Sequence, residues 1–404
     1  MVADDWKEQT LESLSKSFTK QTGFDYTAYI KPSLIKIYKN GYIPFIQNKD
    51  FEGLWINYDT DYYIPEKIAL DFPRILLDEK CLLVSISGKV GNLGVFSNVK
   101  KAFIGGAVAV IKFKDLNTLE WVMYYLFSDI GQKKLLKNVK AGSHKNLILD
   151  DIRKTIIPMP PKPEQKAIAT ALSDTDALID ALEKLIAKKE AIKTGTMQQL
   201  LTGKKRLDGF SGEWVEKRLG DIGEVLMCKR IFSYQTKKSG SIPFYKIGTF
   251  GKKADAFITK ELYNDFRKKF SFPKVGDILI SASGTIGRTI VYNGKPSYFQ
   301  DSNIVWIGND EKMITNDFLY YVLQVVKYES EGSTIQRLYN SIIKNTNFML
   351  PATKEEQTII ATTLSNIDKE IETLKSKLSK LKAIKEGMMQ ELLSGKTRLL
   401  REVS

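Results

Sequence analysis

The chain has 404 residues, enough for two to three domains, and 61 Lys and Arg against 47 Asp and Glu give it a formal net charge of +14. Hydrophobic residues at 43% and charged residues at 27% are ordinary for a globular protein, and the most apolar run, Gly105 to Ile111, is too short to cross a bilayer. Two cysteines (Cys81, Cys228) and one histidine (His144) exclude a disulfide framework, a Cys-rich zinc site and a His-pair metal site, and the positive charge makes a polyanion the first partner to test.

In chain order, the start Met1-Val2-Ala3-Asp4-Asp5 is acidic and lacks the apolar core of a signal peptide, so a cytoplasmic protein without membrane partners is expected. Residues 1–157 read as a mixed, largely β globule. Leu82 to Ser87 is a short apolar run opening onto a Gly-x-x-Gly turn, Ala107 to Phe113 reads as a further strand, and Leu119 to Phe127 as a helix. Residues 158–207 follow as a helical region that opens on Pro158, Pro160, Pro161 and Pro163, which mark chain that is not yet helical. Its apolar stripe is Ile168, Leu172, Ile179, Leu182 and Ile186, with Thr175 as a polar insertion. Residues 208–350 form a second globule, with Ile278 to Ser283 leading into another Gly-x-x-Gly turn, Ile304 to Ile307 as a strand and Phe318 to Lys327 as a helix. Residues 351–404 close the chain as a second helical region. Its stripe, Ile360, Leu364, Ile367, Ile371, Leu374, Leu378 and Leu381, keeps the alternating spacing of four and three of a coiled-coil seam.

The two helical regions are copies. Glu164 to Leu207 aligns without a gap on Glu356 to Leu399 at an offset of 192, with 23 identities in 44 positions. The globules echo each other only weakly, as in Ser87-Gly88-Lys89-Val90-Gly91 against Ser283-Gly284-Thr285-Ile286-Gly287. Gly203 and Gly395 are expected helix stops. Gly195 and Gly387, inside the helical pattern, are expected to mark a bend or a close helix contact. Together the elements predict an α+β protein in which two globules are joined by two long helices. The matching stripes bury best against each other, giving an antiparallel intramolecular coiled coil with pseudo-twofold symmetry.

The charge follows the divergent parts. Each helical copy carries +2, whereas residues 1–157 carry +4 and residues 208–350 carry +5, the distribution expected if the globules touch nucleic acid and the helices touch protein. Candidate phosphate contacts are Lys100, Lys101, Lys133, Lys134, Lys237, Lys238, Lys252, Lys253, Arg267, Lys268 and Lys269. Lys89, Asn92 and Arg288 belong to the two glycine turns, and Asn92 and Arg288 are donors of the kind that read base edges. Hairpin turns without function also use glycine, and most of the 18 Tyr and 20 Phe are assigned to sheet cores.

Catalytic signatures are missing. Gly395-Lys396-Thr397 is not a phosphate loop, because Gln390 stands where its first glycine would fall, and Met159-Pro160-Pro161-Lys162 lacks the acidic or amide residue and the aromatic of an amino-methyltransferase motif. Asp78-Glu79-Lys80 and Asp310-Glu311-Lys312 read as charged turns, His144 as an ordinary turn residue and Cys81 as buried packing.

With both copies in view, the chain resembles the specificity subunit of type I restriction-modification systems over essentially its whole length. The resemblance rests on Pro161-Lys162-Pro163-Glu164-Gln165 with Ile168 and Leu172, on Glu356-Gln357 with Ile360 and Leu364, and on Gly142 to Ile148 and Gly332 to Leu338 before them. Thr353-Lys354-Glu355 replaces the second proline-rich lead-in. The resemblance implies two target recognition domains, each reading one half of a split site in double-stranded DNA. It also implies helices that dock two methyltransferase subunits, with restriction and translocation subunits in the full complex. The chain itself would hold no cofactor, since S-adenosylmethionine, ATP and Mg would sit on those partners. The competing readings are a DNA-modifying or DNA-cleaving enzyme with its own active site in one globule, a purely structural coiled-coil adaptor, and an RNA-binding protein.

Overall fold

The computed structural model describes residues 5–97, 100–139, 146–328 and 337–399. It forms two compact units, Met1–Leu182 with Lys377–Ser404, and Glu183–Ser376. Each therefore contains one globule, the start of one long helix and the end of the other.

In the first unit the central sheet orders Ser15–Lys20, Val108–Phe113, Cys81–Ser85 and Leu93–Phe96, antiparallel throughout. Its middle strands are apolar apart from Ser85 and the ion-paired Lys112, because both faces are covered. Leu82, Val84, Ala109 and Ile111 enter one core with the helix Leu116–Phe127, while Cys81, Leu83, Val108 and Val110 enter a second core against the other sheet. That second sheet pairs Tyr42–Ile46 in parallel with Ala102–Ile104, flanked by Tyr63–Pro65 and Leu76–Leu77. A two-stranded clasp, Lys7–Thr10 with Ile156–Met159, closes the globule.

The second unit repeats this plan with other residues. Val225–Met227, Ile304–Ile307, Ile278–Ser281 and Thr289–Val291 form the central sheet. Ile242–Tyr245 pairs in parallel with Tyr298–Phe299 beside Ala256–Ile258, and Val215–Arg218 pairs with Asn347–Leu350 as the clasp. Leu279, Ile304 and Trp306 again face one core, and Ile278, Ile280 and Val305 the other, beneath the helix Asn316–Val325. The units differ at the periphery. The first carries a hairpin of Phe51–Glu52 and Trp55–Ile56, and the second has a ten-residue helix, Lys260–Lys269, where the first has only Glu66–Ala69.

The long helices are Lys162–Leu200 and Lys354–Leu392, 39 residues each. Pro163 lies inside the first turn rather than before it, because the N–H that proline lacks has no intrahelical partner there. Gly203 (φ 68°) and Gly395 (φ 73°) end the runs in the left-handed conformation that glycine adopts without strain. The close contact expected at Gly195 and Gly387 is absent: a Cβ on either would meet nothing within 4 Å.

Candidate nucleic-acid interface

The helical copies build the same anchor in each unit. In the first, Arg398 Nε lies 2.6 Å from Glu164 Oε1 and its Nη2 donates to Oε2 at 2.7 Å, while Nη1 reaches Asp5 and the guanidinium lies 5.8 Å from the Trp6 ring centre. In the second, Arg206 makes the same forked pair with Glu356 (2.7 and 2.9 Å), donates to the Gly212 carbonyl and lies 5.7 Å from the Trp214 ring. The adjacent glutamines are equally buried. Gln165 donates to the Pro160 carbonyl, and Gln357 accepts from Thr315 N and donates to Met313 O. The repeated Glu-Gln pair is thus a fastening between long helix and globule, and the carboxylates face guanidinium groups rather than a reaction site.

Further along, Tyr124 donates to Asp176 (3.0 Å), which pairs with Lys385 (2.5 Å); Tyr321 donates to Asp368 (2.9 Å), which pairs with Lys193 (2.6 Å). The partners run in opposite directions within each unit, Glu164 with Arg398 and Asp176 with Lys385, then Glu190 with Lys375 and Arg206 with Glu356, so the helices pair antiparallel. Ile168, Leu172, Ile360 and Leu364 are buried in the globule cores, together with the ends of the opposite helices, Leu392 and Leu393 or Leu200 and Leu201. Ile186 and Ile371 are buried on the shared stripe, and Ile179, Leu182, Ile367, Leu374, Leu378 and Leu381 are half-buried along it.

The two Gly-x-x-Gly turns are built alike. Ser85 Oγ donates to the Lys89 carbonyl and accepts from Asn92 N, and Ser281 Oγ donates to Thr285 O (2.6 Å) and accepts from Arg288 N (2.9 Å). Gly88, Gly91, Gly284 and Gly287 all have positive φ, between 67° and 85°. Lys89 and Asn92 project into solvent, but the Arg288 guanidinium is half-buried and donates to the Phe250 carbonyl at 2.8 Å. The arginine braces the segment that presents Lys252 and Lys253.

The other cations are exposed, apart from the half-buried Lys134, and unequally occupied. Lys101 pairs with Glu66 (2.6 Å), Lys100 lies 5.4 Å from the Tyr58 ring, and Lys269 pairs with Asp265. Lys133 and Lys134 end the helix Asp129–Leu135, and Lys134 lies near Tyr125. Arg267 covers Phe272 at 5.4 Å, with Lys268 beside it on the same exposed helix end. Lys237, Lys238, Lys252 and Lys253 make no ion pair among the described residues. Lys252 borders a cleft of about 430 Å³ lined by Tyr245, Phe250, Tyr292 and Phe299. His144 and the starts of the Gly142 and Gly332 segments lie outside the described residues, while their ends bridge to the glycine turns, Asn146 to Ser87 and Arg337 to Ser283. Burial pushes the thiols of Cys81 and Cys228 up to about 12, so neither is a nucleophile at neutral pH.

Assigning most aromatics to the core overlooked one set. Phe24, Tyr29 and Tyr38 in the first globule, and Phe232 and Tyr234 in the second, are exposed by half or more of their surface. All five lie in the connection between the first strand of the central sheet and the first strand of the smaller one. The signal was present in the sequence, where aromatics alternate with cations and no strand or helix period places them inside.

Two globules of like topology, each fastened by the same residue types to the long helices, define an internally repeated protein whose halves share the anchor and differ in their strand connections. The sequence matches the type I restriction modification DNA specificity domain over residues 3–194 and again over residues 211–383, and the chain belongs to that family of DNA specificity subunits. It is 57% identical over 144 residues to a specificity subunit assigned to a type I restriction enzyme of Haemophilus influenzae, a match covering 35% of this chain and 37% of that one. It is 25% identical to the type I restriction enzyme MjaVIII specificity subunit of Methanocaldococcus jannaschii over 87% of this chain and 88% of that one. In fold it is similar to the crystal structure of the type I restriction-modification S subunit from M. genitalium (TM-score 0.61, 17% identity, 97% of both chains). A chain from a structural study of complex assembly and conformational transition of the type I R-M system gives a TM-score of 0.55 at 16% identity, over 98% of this chain and all of that one.

Proposed function

We propose that the recognition domains are residues 1–157 and 208–350 and that each reads one half of a bipartite site in double-stranded DNA. The helical regions 158–207 and 351–404 then form the frame on which two methyltransferase subunits dock, with restriction subunits joining the full complex. On this reading the chain carries no chemistry of its own and works in the cytoplasm. S-adenosylmethionine, ATP and Mg act on the partners. Lys89, Asn92, Lys100, Lys101, Lys237, Lys238, Lys252, Lys253, Arg267, Lys268, Lys269 and Arg288 are proposed DNA contacts, Arg288 also bracing the Lys252 segment through the Phe250 carbonyl.

The observation that carries the proposal is the repeated anchor. Glu164, Asp176, Lys193 and Arg206 recur as Glu356, Asp368, Lys385 and Arg398 in the same contacts, while the connections between strands differ in length and residues. A frame held constant while the presented loops vary suits one docking partner and two different target sequences. Among the described residues no helix is long and apolar enough to cross a membrane.

Long-read sequencing of the host genome tests the proposal: a bipartite methyl-adenine motif is expected, lost on deletion of this chain. Replacing residues 208–350 with another family member's domain should change one half of the motif, and a change in both halves contradicts it. Cleavage or methyl transfer by the purified chain alone would instead place an active site in one globule.

A further inference from the structure

While Trp55 and Tyr339 are exposed elsewhere, five of the exposed aromatics occupy one place in the topology twice. In the first unit they lie between Ser15–Lys20 and Tyr42–Ile46, and in the second between Val225–Met227 and Ile242–Tyr245. Each connection is pinned by an isolated bridge to the next strand of the smaller sheet, Ile35 to Tyr63 and Lys237 to Phe257. These two bridges are topological counterparts.

The second connection is also fixed at its base. Cys228 is buried, the Lys229 carbonyl accepts from Tyr298 Oη, and Arg230 pairs with Asp301 at 2.8 Å. Above that base, Phe232 and Tyr234 stack at 5.8 Å and 8° on a turn closed by Gln235, with exposures of 52% and 82%. Arg230, Lys237 and Lys238 flank them. In the first connection a π-helical turn, Tyr26–Ile30, sets Tyr29 outward near Phe24, and Tyr38 stands over Tyr63; Lys31 and Lys36 lie between Tyr29 and Tyr38 in sequence, and Lys39 follows. Such turns are rare and concentrate at functional sites.

Large aromatic faces held in water on a rigid base carry a hydration cost that packing could have removed, and here both globules keep it at the same place. Aromatic faces interleaved with cations match the two surfaces of nucleic acid, base planes and phosphates. Resting on the DNA-recognition reading, we propose that these two connections are the base-contacting segments of the globules. Phe232 with Tyr234, and Phe24 with Tyr38, insert against base steps of their respective half-sites, while the neighbouring cations hold the phosphates.

The test uses the native complex, purified through a tag on this chain and titrated by fluorescence anisotropy. The duplexes carry the intact site, one or other scrambled half-site, or an unrelated sequence. Phe232→Ala with Tyr234→Ala should lower discrimination against one scrambled half-site by roughly tenfold or more and leave the other unchanged. Phe24→Ala with Tyr38→Ala should do the reverse. Because the side chains are exposed, melting temperatures should stay at the wild-type value, and a fallen melting temperature with unchanged discrimination counts against the assignment. Unchanged discrimination in both variants, or an equal loss on all duplexes, overturns it. Loss of the methyltransferase subunits from the purified complex would overturn it too, marking the connections as a protein-docking surface. If the wild-type complex does not discriminate among the duplexes, the underlying DNA-recognition reading fails instead.

Discussion

The two anchors join the same side chains in different chain contexts. In the second unit the fastening is local: Arg206 and Trp214 lie eight residues apart and close together on Glu356. In the first unit Arg398 comes from one end of the chain, Asp5 and Trp6 from the other, and they meet on Glu164. The contact survives although the covalent connection does not, so the fastening depends on side-chain geometry and burial rather than on a short linker. One difference remains. Arg398 has a second carboxylate, Asp5, whose pKa it holds below the usual range, whereas Arg206 has a backbone carbonyl in that place.

If the units are equivalent, equal substitutions should cost equal amounts. The largest effects are expected at Leu172 and Leu364, both fully buried where a long helix enters a globule core. Leu172→Ala and Leu364→Ala should each cost about 2 to 5 kcal/mol through lost burial and the cavity left behind. Urea unfolding of the two variants checks this; a difference between them above about 2 kcal/mol would show that the cores are not interchangeable.

The anchors offer a sharper contrast. Glu356→Gln leaves the Arg206 guanidinium without a carboxylate and with one acceptor fewer, and a loss of about 2 to 3 kcal/mol is expected after allowing for the partial exposure of Arg206. Glu164→Gln leaves Arg398 with Asp5 and should cost less than Glu356→Gln. Equal losses in thermal or urea unfolding would mean that Asp5 contributes nothing. Tyr124→Phe and Tyr321→Phe remove matched hydrogen bonds to Asp176 and Asp368, and about 1 kcal/mol is expected for each by the same measurement.

These contrasts also show what the sequence made legible. The helix stripes and the offset of 192 could be read directly, because a long amphipathic period is a local signal repeated many times. The central strands were legible as continuous apolar runs. The hairpin partners Leu93–Phe96 and Thr289–Val291 were not, because they are short and the first contains Gly94. The role of Glu164 and Glu356 was also hidden, since each ion pair spans 150 residues or more of chain and no local pattern announces it. Arg288 follows a glycine turn as a base reader would, whereas the hydrogen bond of its guanidinium to the Phe250 carbonyl, 38 residues away, had no local signal. Exposed aromatics such as Tyr234 carried only a weak signal, their alternation with cations, and it became decisive once the sheets that could have buried them were placed.

The smallest expected effects compare the cations of the two globules. Lys252 and Lys253 are exposed and make no ion pair among the described residues, so a phosphate approaching them releases counterions without displacing a carboxylate. Lys101 is already paired with Glu66 at 2.6 Å, and Lys100 lies against Tyr58. A phosphate there must compete with a local anion, and binding gains less. Neutralising Lys252 and Lys253 together should therefore flatten the dependence of log affinity on log salt by about 2, whereas Lys100→Ala with Lys101→Ala should flatten it by about 1 or less. Both losses should be the same on cognate and unrelated duplexes, because phosphate contacts carry no sequence information. Titrations of the native complex at several salt concentrations measure both slopes. Equal slopes for the two double variants would mean that the Lys101–Glu66 pair opens on binding and that the globules hold the DNA backbone alike. A loss confined to the cognate duplex would instead give the Lys252 segment a part in reading bases.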